Sequence, residues 1–119
     1  MTAMTTDIQV PEGYVFACAV NDVPARGKRS VTLDHTHVLI IACESAYHAV
    51  EDVCPQTGRS IAHGEVLDCT LTTPTNGARY CLKTGRYLDG GQSPFQSHWL
   101  TVFPVHVYND SIYVKLAAH

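Results

Sequence analysis

Two short loops, CPQTG at residues 54–58 and TPTNG at residues 73–77, decide the fold that this sequence predicts. In each loop a proline is the second residue and a glycine is the fifth. Proline fixes the backbone φ angle and glycine permits a positive one, so these residues specify the shape of a turn. A segment with strand character separates the loops, and this layout predicts two tips that lie side by side.

The composition limits the number of domains and the kinds of partner that the chain can have. It has 119 residues, of which 45% are hydrophobic, so it can build the core of one domain. We expect a flexible N-terminal tail over residues 1–11 and a single domain over residues 12–119. The formal net charge of −3, with no basic stripe, argues against a nucleic-acid partner. No apolar run has the length of a membrane span and no apolar signal core is present, so we expect a cytoplasmic protein without a membrane partner.

Short segments rich in β-branched and aromatic residues, separated by turn residues, predict an all-β domain of about nine or ten antiparallel strands. The hairpin turns are expected at residues 34–36, 44–45, 83–85 and 109–110. The segments with strand character are 14–20, 30–33, 37–43, 47–53, 65–72, 79–82, 86–88, 101–108 and 111–116.

The loops and their flanks resemble those of Rieske-type [2Fe–2S] ferredoxins, the ferredoxin components of bacterial ring-hydroxylating oxygenases. The family pattern is Cys-Pro-His, sixteen or so residues, Cys-Pro-x-His-Gly, then an aromatic residue and a Thr-Gly turn. Here CPQ at 54–56 and TPTNG at 73–77 match it without a gap, and Tyr80 and Thr84-Gly85 follow. The resemblance extends over roughly residues 14–116. It implies a Rieske-like antiparallel β-sandwich or small barrel with two cluster-binding-type loops.

The cluster-ligand positions depart from this pattern. A Rieske cluster is held by two Cys thiolates and two His imidazoles. The resemblance places Cys54, Gln56, Thr73 and Asn76 at these positions, so three of the four ligands are replaced. An amide or a protonated hydroxyl is a poor substitute for imidazole or thiolate. We therefore expect no cofactor and no metal here, and we expect the three polar side chains to hydrogen-bond the loop tips together.

The cysteines outside this pattern predict little chemistry. The odd count of five, without a signal peptide, indicates reduced thiols. Cys18 and Cys43 lie in apolar segments, as small core residues do. A zinc site is a weaker alternative, because the spacing contains no close Cys pair. Its ligands would be Cys54, His63, Cys69 and Cys81.

Two further clusters have ordinary explanations. His35 and His37 flank one residue at a predicted turn, where exposed histidines are common. Glu51 and Asp52 precede the first loop and form either an acidic docking edge or a solvated strand end.

The resemblance, with its replaced ligands, implies a cluster-less accessory or docking subunit of a multicomponent oxidoreductase, in particular an aromatic ring-hydroxylating oxygenase. Such a subunit is not an enzyme and has no catalytic residues. Its partner would be an oxygenase or reductase component. Two alternatives stay open. One is an electron-transfer Rieske ferredoxin whose [2Fe–2S] cluster has atypical ligation, with Cys69 or Cys81 entering the site. The other is a zinc or mononuclear-iron protein that uses Cys54 with a nearby histidine.

Overall fold

A computed structural model describes residues 10–25, 27–91 and 99–116, which form eleven strands and one turn of 3-10 helix, Val20–Asp22. The antiparallel strands confirm the predicted all-β class. The predicted tail lies outside the described residues, except for Val10 and Pro11. The strands are β1 Tyr14–Ala19, β2 Lys28–Leu33, β3 Thr36–Cys43, β4 Ala46–Glu51, β5 Glu65–Leu67, β6 Thr70–Thr72, β7 Arg79–Cys81, β8 Tyr87–Asp89, β9 Val102–Phe103, β10 Val105–Tyr108 and β11 Ser111–Lys115.

The strands form three antiparallel sheets. One has the order β1-β11-β10, the second β2-β3-β4-β9, and the third β5-β6-β7-β8. Strands β2, β3 and β4 form an antiparallel meander, and β9 returns from late in the chain to pair with β4. The third sheet contains the strands that lead into and out of the second loop, so it determines where that loop lies.

Four hairpins turn through two residues that both have positive φ angles. This conformation defines the type I′ turn, whose twist matches that of the strands it joins. Three of the turns lie where the sequence predicts them. The four pairs are Asp34–His35, Glu44–Ser45, Asp68–Cys69 and Asn109–Asp110.

The turn at Asp68–Cys69 corrects the prediction of one strand over residues 65–72. The chain reverses there, and β5 pairs with β6 as a short hairpin. Cys69 therefore lies in a turn and not in the strand that enters the second loop. A second correction is at Pro104, which ends β9 and separates it from β10. Proline has no backbone N–H to donate to a sheet, so the strands on its two sides join different sheets.

Strand β3 supplies both sides of the core, because alternate residues of a strand point to opposite faces. Leu39 and Ile41 belong to a buried cluster that includes residues of the third sheet and Cys54 of the first loop. Val38 and Ile40 belong to a second cluster, with Ile112 of β11. The loops thus rest on one face of a central strand that is buried on both sides.

The part of the chain that the structure describes contains no helix long and apolar enough to cross a membrane. The cytoplasmic location stays a prediction.

We predict that Ile40→Ala destabilises the domain by about 2–5 kcal/mol, because Ile40 is fully buried and its loss leaves a cavity. The free energy of unfolding, measured in urea, tests this. Val107→Ala is the control, since Val107 is 45% exposed and its truncation should change stability by less than about 0.5 kcal/mol. Equal effects of the two substitutions would contradict the two-sided core.

Candidate functional site

The first loop, residues 54–59, is closed by two backbone hydrogen bonds. The N–H of Cys54 donates to the carbonyl of Arg59 at 2.7 Å, and the N–H of Gly58 donates to the carbonyl of Cys54 at 2.8 Å. Gly58 has a φ of 76°, in the left-handed region that glycine adopts at little cost. The backbone alone therefore defines this loop.

The second loop, residues 73–78, repeats the same pattern. The N–H of Thr73 donates to the carbonyl of Ala78 at 2.8 Å, and the N–H of Gly77 donates to the carbonyl of Thr73 at 3.2 Å. Gly77 also has a φ of 76°. The two loops that are similar in sequence are thus equivalent in backbone structure.

A third loop, residues 81–86, has the same closure, although the sequence predicts only a hairpin turn there. The N–H of Cys81 donates to the carbonyl of Arg86 at 2.9 Å, and that of Gly85 donates to the carbonyl of Cys81 at 2.7 Å. The signal was present in the sequence, because CLKTGR at 81–86 shares its Cys and its Thr-Gly-Arg with CPQTGR at 54–59.

Side chains join the first two loops to each other. The hydroxyl of Thr73 donates to Oδ1 of Asn76 at 2.7 Å, and Nδ2 of Asn76 donates to Oε1 of Gln56 at 2.9 Å. At the tips, the hydroxyls of Thr57 and Thr75 lie 3.3 Å apart. The expected hydrogen bonds among the three polar residues are present.

The backbone of Ala78 completes this arrangement. Its N–H donates to Thr73 Oγ1 and to Asn76 Oδ1, each at 3.1 Å. Thr73, which is 2% exposed, therefore uses its hydroxyl both as donor and as acceptor within its own loop. Cys54, at the equivalent position of the first loop, is also buried.

Two buried polar atoms beside these loops lack a hydrogen-bond partner, the hydroxyl of Tyr80 and Nε2 of Gln56. The pKa of Tyr80 is raised to about 12, first by burial and then by Cys54 and Tyr87. Cys54 raises this pKa and Gln56 lowers it, so both lie beside the Tyr80 hydroxyl, but neither is placed at the distance and angle of a hydrogen bond to it. A buried hydroxyl without a partner is unusual and costs stability.

The backbone of Gly90 and Gly91 lies close to the first two loops, a contact that the sequence does not predict. A Cβ atom on Gly90 would lie 2.3 Å from the carbonyl oxygen of Gly77, and one on Gly91 would lie 2.4 Å from Gln56 Oε1. Both glycines have positive φ angles. The Gly-Gly pair was the available signal, because it permits the backbone to approach the two loops closely.

The prediction that all five cysteines are reduced thiols is wrong for two of them. Cys43 and Cys69 form a disulfide that joins the end of β3 to the β5–β6 turn. Cys18, Cys54 and Cys81 are free thiols.

The weaker zinc set, with Cys54, His63, Cys69 and Cys81 as ligands, is not brought together. The turn at Asp68–Cys69 directs Cys69 to Cys43, whereas Cys54 starts the first loop, at the opposite end of β4 from the β3–β4 turn. Within the described ranges, Cys43, His48 and Cys69 form a group whose ligand atoms lie within 4.8 Å of one another, with the two sulfurs joined in the disulfide.

Two other predicted clusters have structural roles. His35 lies in the β2–β3 turn, and His37 Nδ1 lies 3.2 Å from the Thr32 hydroxyl. The carboxylate of Asp52 accepts hydrogen bonds from the Ser60 hydroxyl and the Ile61 N–H, each at 2.8 Å. Asp52 thus anchors the chain that leaves the first loop.

The matching family model and the relatives at 30% identity indicate the same family. The model of the Rieske-like [2Fe-2S] domain matches residues 13–115. The 3-phenylpropionate/cinnamic acid dioxygenase ferredoxin subunit of Escherichia coli K12 is 30% identical over 105 residues, which cover 86% of this chain and 92% of the relative. The subunit of the same name from Shigella boydii has the same identity and coverage. Both relatives are named as ferredoxin subunits, in agreement with the prediction that this chain is not an enzyme.

Solved structures share the fold. The ferredoxin of carbazole 1,9a-dioxygenase from Nocardioides aromaticivorans has a TM-score of 0.74 at 13% identity, with 87% of this chain and 97% of that chain covered. The terminal oxygenase of the same system has a TM-score of 0.82 at 20% identity, but the match spans only 30% of that chain. At these identities the likeness concerns the fold.

These comparisons correct the prediction that no cofactor is expected. The matching family model is that of a [2Fe-2S] domain, and the relatives at 30% identity are ferredoxin subunits. The family therefore leads us to expect a [2Fe–2S] cluster. The prediction was wrong because it rested on the chemistry of the four side chains and set aside the cluster that the family resemblance implies.

The residues at the four ligand positions do not fit this group. Two irons need two thiolates and two imidazoles, whereas these positions hold one thiol, one hydroxyl and two amides. The Thr73 hydroxyl and the Asn76 amide are moreover engaged with each other and with the backbone of Ala78. No electron-transfer step can be derived through these four side chains.

We predict that Tyr80→Phe stabilises the domain by about 1–3 kcal/mol, because it removes a buried hydroxyl that has no partner. The matched control is Tyr87→Phe. Tyr87 donates to the Gly90 carbonyl at 2.5 Å, so its hydroxyl should contribute about 0.5–1.5 kcal/mol. Unfolding in urea measures both effects, and a loss of stability in Tyr80→Phe would show that its hydroxyl is satisfied.

Proposed function

The chain belongs to the family of Rieske-like [2Fe-2S] domains, and we propose that it is a ferredoxin-like docking component of a multicomponent oxygenase for aromatic compounds. Its partner in this proposal is the oxygenase or the reductase component. Relatives that are ferredoxin subunits of a dioxygenase support the assignment. So does a fold shared with the ferredoxin of another dioxygenase.

One observation carries the choice of docking over electron transfer. The side chains of Gln56, Thr73 and Asn76 form a hydrogen-bonded chain between the first two loops. None of them offers an imidazole or a thiolate. The loops keep the two prolines and the Gly77 of the family pattern, which supports the proposal that they also keep a surface for a partner.

The exposed tips of the two loops are the surface that we assign to docking. Thr57, Gly58, Pro74 and Thr75 are all exposed, and the hydroxyl pair at 3.3 Å joins the two tips. A rigid backbone makes such a surface suitable for recognition, because little conformational entropy is lost on binding.

A second candidate is an electron-transfer ferredoxin with atypical ligation, which the ferredoxin relatives favour. It would need donors from outside the four ligand positions. Cys81 is a free, half-buried thiol. Burial raises the pKa of the Cys81 thiol. Hydrogen bonds from Thr84 and Lys83 outweigh burial, so the pKa lies below its ordinary value. Cys69 is held in the disulfide and would have to be released first.

Restoring the family ligands separates the two candidates. The variant Gln56→His/Thr73→Cys/Asn76→His should take up far more iron and sulfide than the native chain, because the backbone of both loops is retained and only the donors change. Anaerobic reconstitution, followed by the visible spectrum and the EPR signal of the reduced form, measures the difference. A native chain that forms a reducible two-iron cluster as fully as the variant would favour the electron carrier.

The docking surface has its own test. Affinity-tagged chain, expressed in its own organism during growth on an aromatic compound, should co-purify with an oxygenase or reductase component identified by mass spectrometry. Thr75→Lys should weaken this association, because it adds a long charged side chain at the loop tips. Ser30→Lys, on exposed β2, is the matched control and should have no effect. Equal association of both variants would exclude the loop tips, and absence of any oxygenase or reductase component would contradict the proposed function.

A further inference from the structure

Three side chains at the opposite end of β4 from the first loop form a compact group. One ligand atom from each of Cys43, His48 and Cys69 lies within 4.8 Å of the other two. Cys43 ends β3, His48 lies on the neighbouring strand β4, and Cys69 lies in the β5–β6 turn. Two elements of the second sheet and one of the third therefore converge there.

The imidazole of His48 gives this group its significance. Its Nε2 atom is buried and has no hydrogen-bond partner. Buried imidazole nitrogens are normally hydrogen-bonded, and a neutral ring nitrogen is the form that binds a metal ion.

We propose that Cys43, Cys69 and His48 form a redox-controlled zinc site. In the oxidised state the two sulfurs are joined to each other. In the reduced state they become two thiolate ligands, His48 is the third, and a water molecule takes the fourth tetrahedral position. Two thiolates and one imidazole suit the borderline-soft Zn²⁺ ion, which lies about 2.3 Å from sulfur and about 2.0–2.1 Å from nitrogen.

The change of state is a thiol–disulfide exchange. A cellular dithiol attacks one sulfur of the Cys43–Cys69 bond, that bond breaks, and the dithiol is oxidised to its own disulfide as two protein thiols form. Zinc then displaces one proton from each thiol to solvent, while His48 donates its lone pair without losing a proton. No electrons are transferred in the metal-binding step.

The positions of the ligands fit both states. Cys43 borders the Glu44–Ser45 turn, and Cys69 lies in a turn itself, so small backbone adjustments can separate the two sulfurs. An open cleft beside both cysteines, lined by Ala42, Glu44, Val66 and Asp68, leads to the group from solvent. In either state the end of β3 stays cross-linked to the β5–β6 turn.

Cobalt binding tests the proposal. The full chain is reduced with a phosphine, which becomes its oxide, and is then desalted anaerobically and titrated with Co²⁺. One Co²⁺ per chain should bind with thiolate charge-transfer bands and the visible bands of a tetrahedral ion, and Zn²⁺ should displace it. The chain left oxidised should show neither set of bands.

Variants show whether these three residues are the ligands. Cys43→Ser should abolish the thiolate charge-transfer bands that the reduced native chain shows when one Co²⁺ binds. His48→Ala should weaken Zn²⁺ binding by more than about tenfold, since even the loss of an outer-shell partner costs ten- to a hundredfold. Cys81→Ser is the matched control, because it removes a free thiol outside the group and should leave binding unchanged.

Three results would overturn the proposal. The first is a reduced native chain without the cobalt bands. The second is retention of the bands in Cys43→Ser. The third is a reduced chain that loses its fold, as judged by circular dichroism, and does not regain it with Zn²⁺, because a metal ion that binds the native state must stabilise it.

Discussion

The pair of backbone hydrogen bonds that closes each six-residue loop is the constraint on which the rest of the site depends. The first residue donates to the sixth, the fifth donates to the first, and the fifth is always a glycine with positive φ. The first residue is Cys, Thr and Cys in the three loops. Because only main-chain atoms take part, the closure does not depend on which side chain starts the loop.

This independence explains how the ligand positions can change while the fold stays. Thr73 Oγ1 accepts the N–H of Ala78 and donates to Asn76, so a hydroxyl is fully satisfied at this buried position. Each such bond contributes about 0.5–1.5 kcal/mol net. The bond from Asn76 to Gln56 and the contact between the tip hydroxyls then join the two loops. Side-chain hydrogen bonds thus connect the first two loops at these positions.

Local residue chemistry explains which features could be predicted from the sequence. Proline and glycine in the first two loops specify their backbone, and the unbroken apolar run over residues 38–43 is typical of a strand that is buried on both sides. The turn at Asp68–Cys69 was missed because it lies within a segment of strand character, residues 65–72, and contains neither glycine nor asparagine. The Cys43–Cys69 bond was missed because it joins residues 26 apart, and cysteine count and compartment alone predicted free thiols. The approach of Gly90 and Gly91 to the loops is a long-range contact that the Gly-Gly pair permits but does not by itself specify.

In this molecule, family membership and the chemistry of the ligand positions depend on different residues. Membership rests on the residues that shape the backbone, and it bears on the fold and on the surfaces that partners recognise. Chemistry depends on the side chains, and three of the four at the ligand positions are neither thiolate nor imidazole. The Cys43–Cys69 disulfide and the His48 imidazole lie elsewhere, where β3 ends and the β5–β6 turn meets it. The fold of a family can therefore be kept while the chemistry of its ligand positions changes.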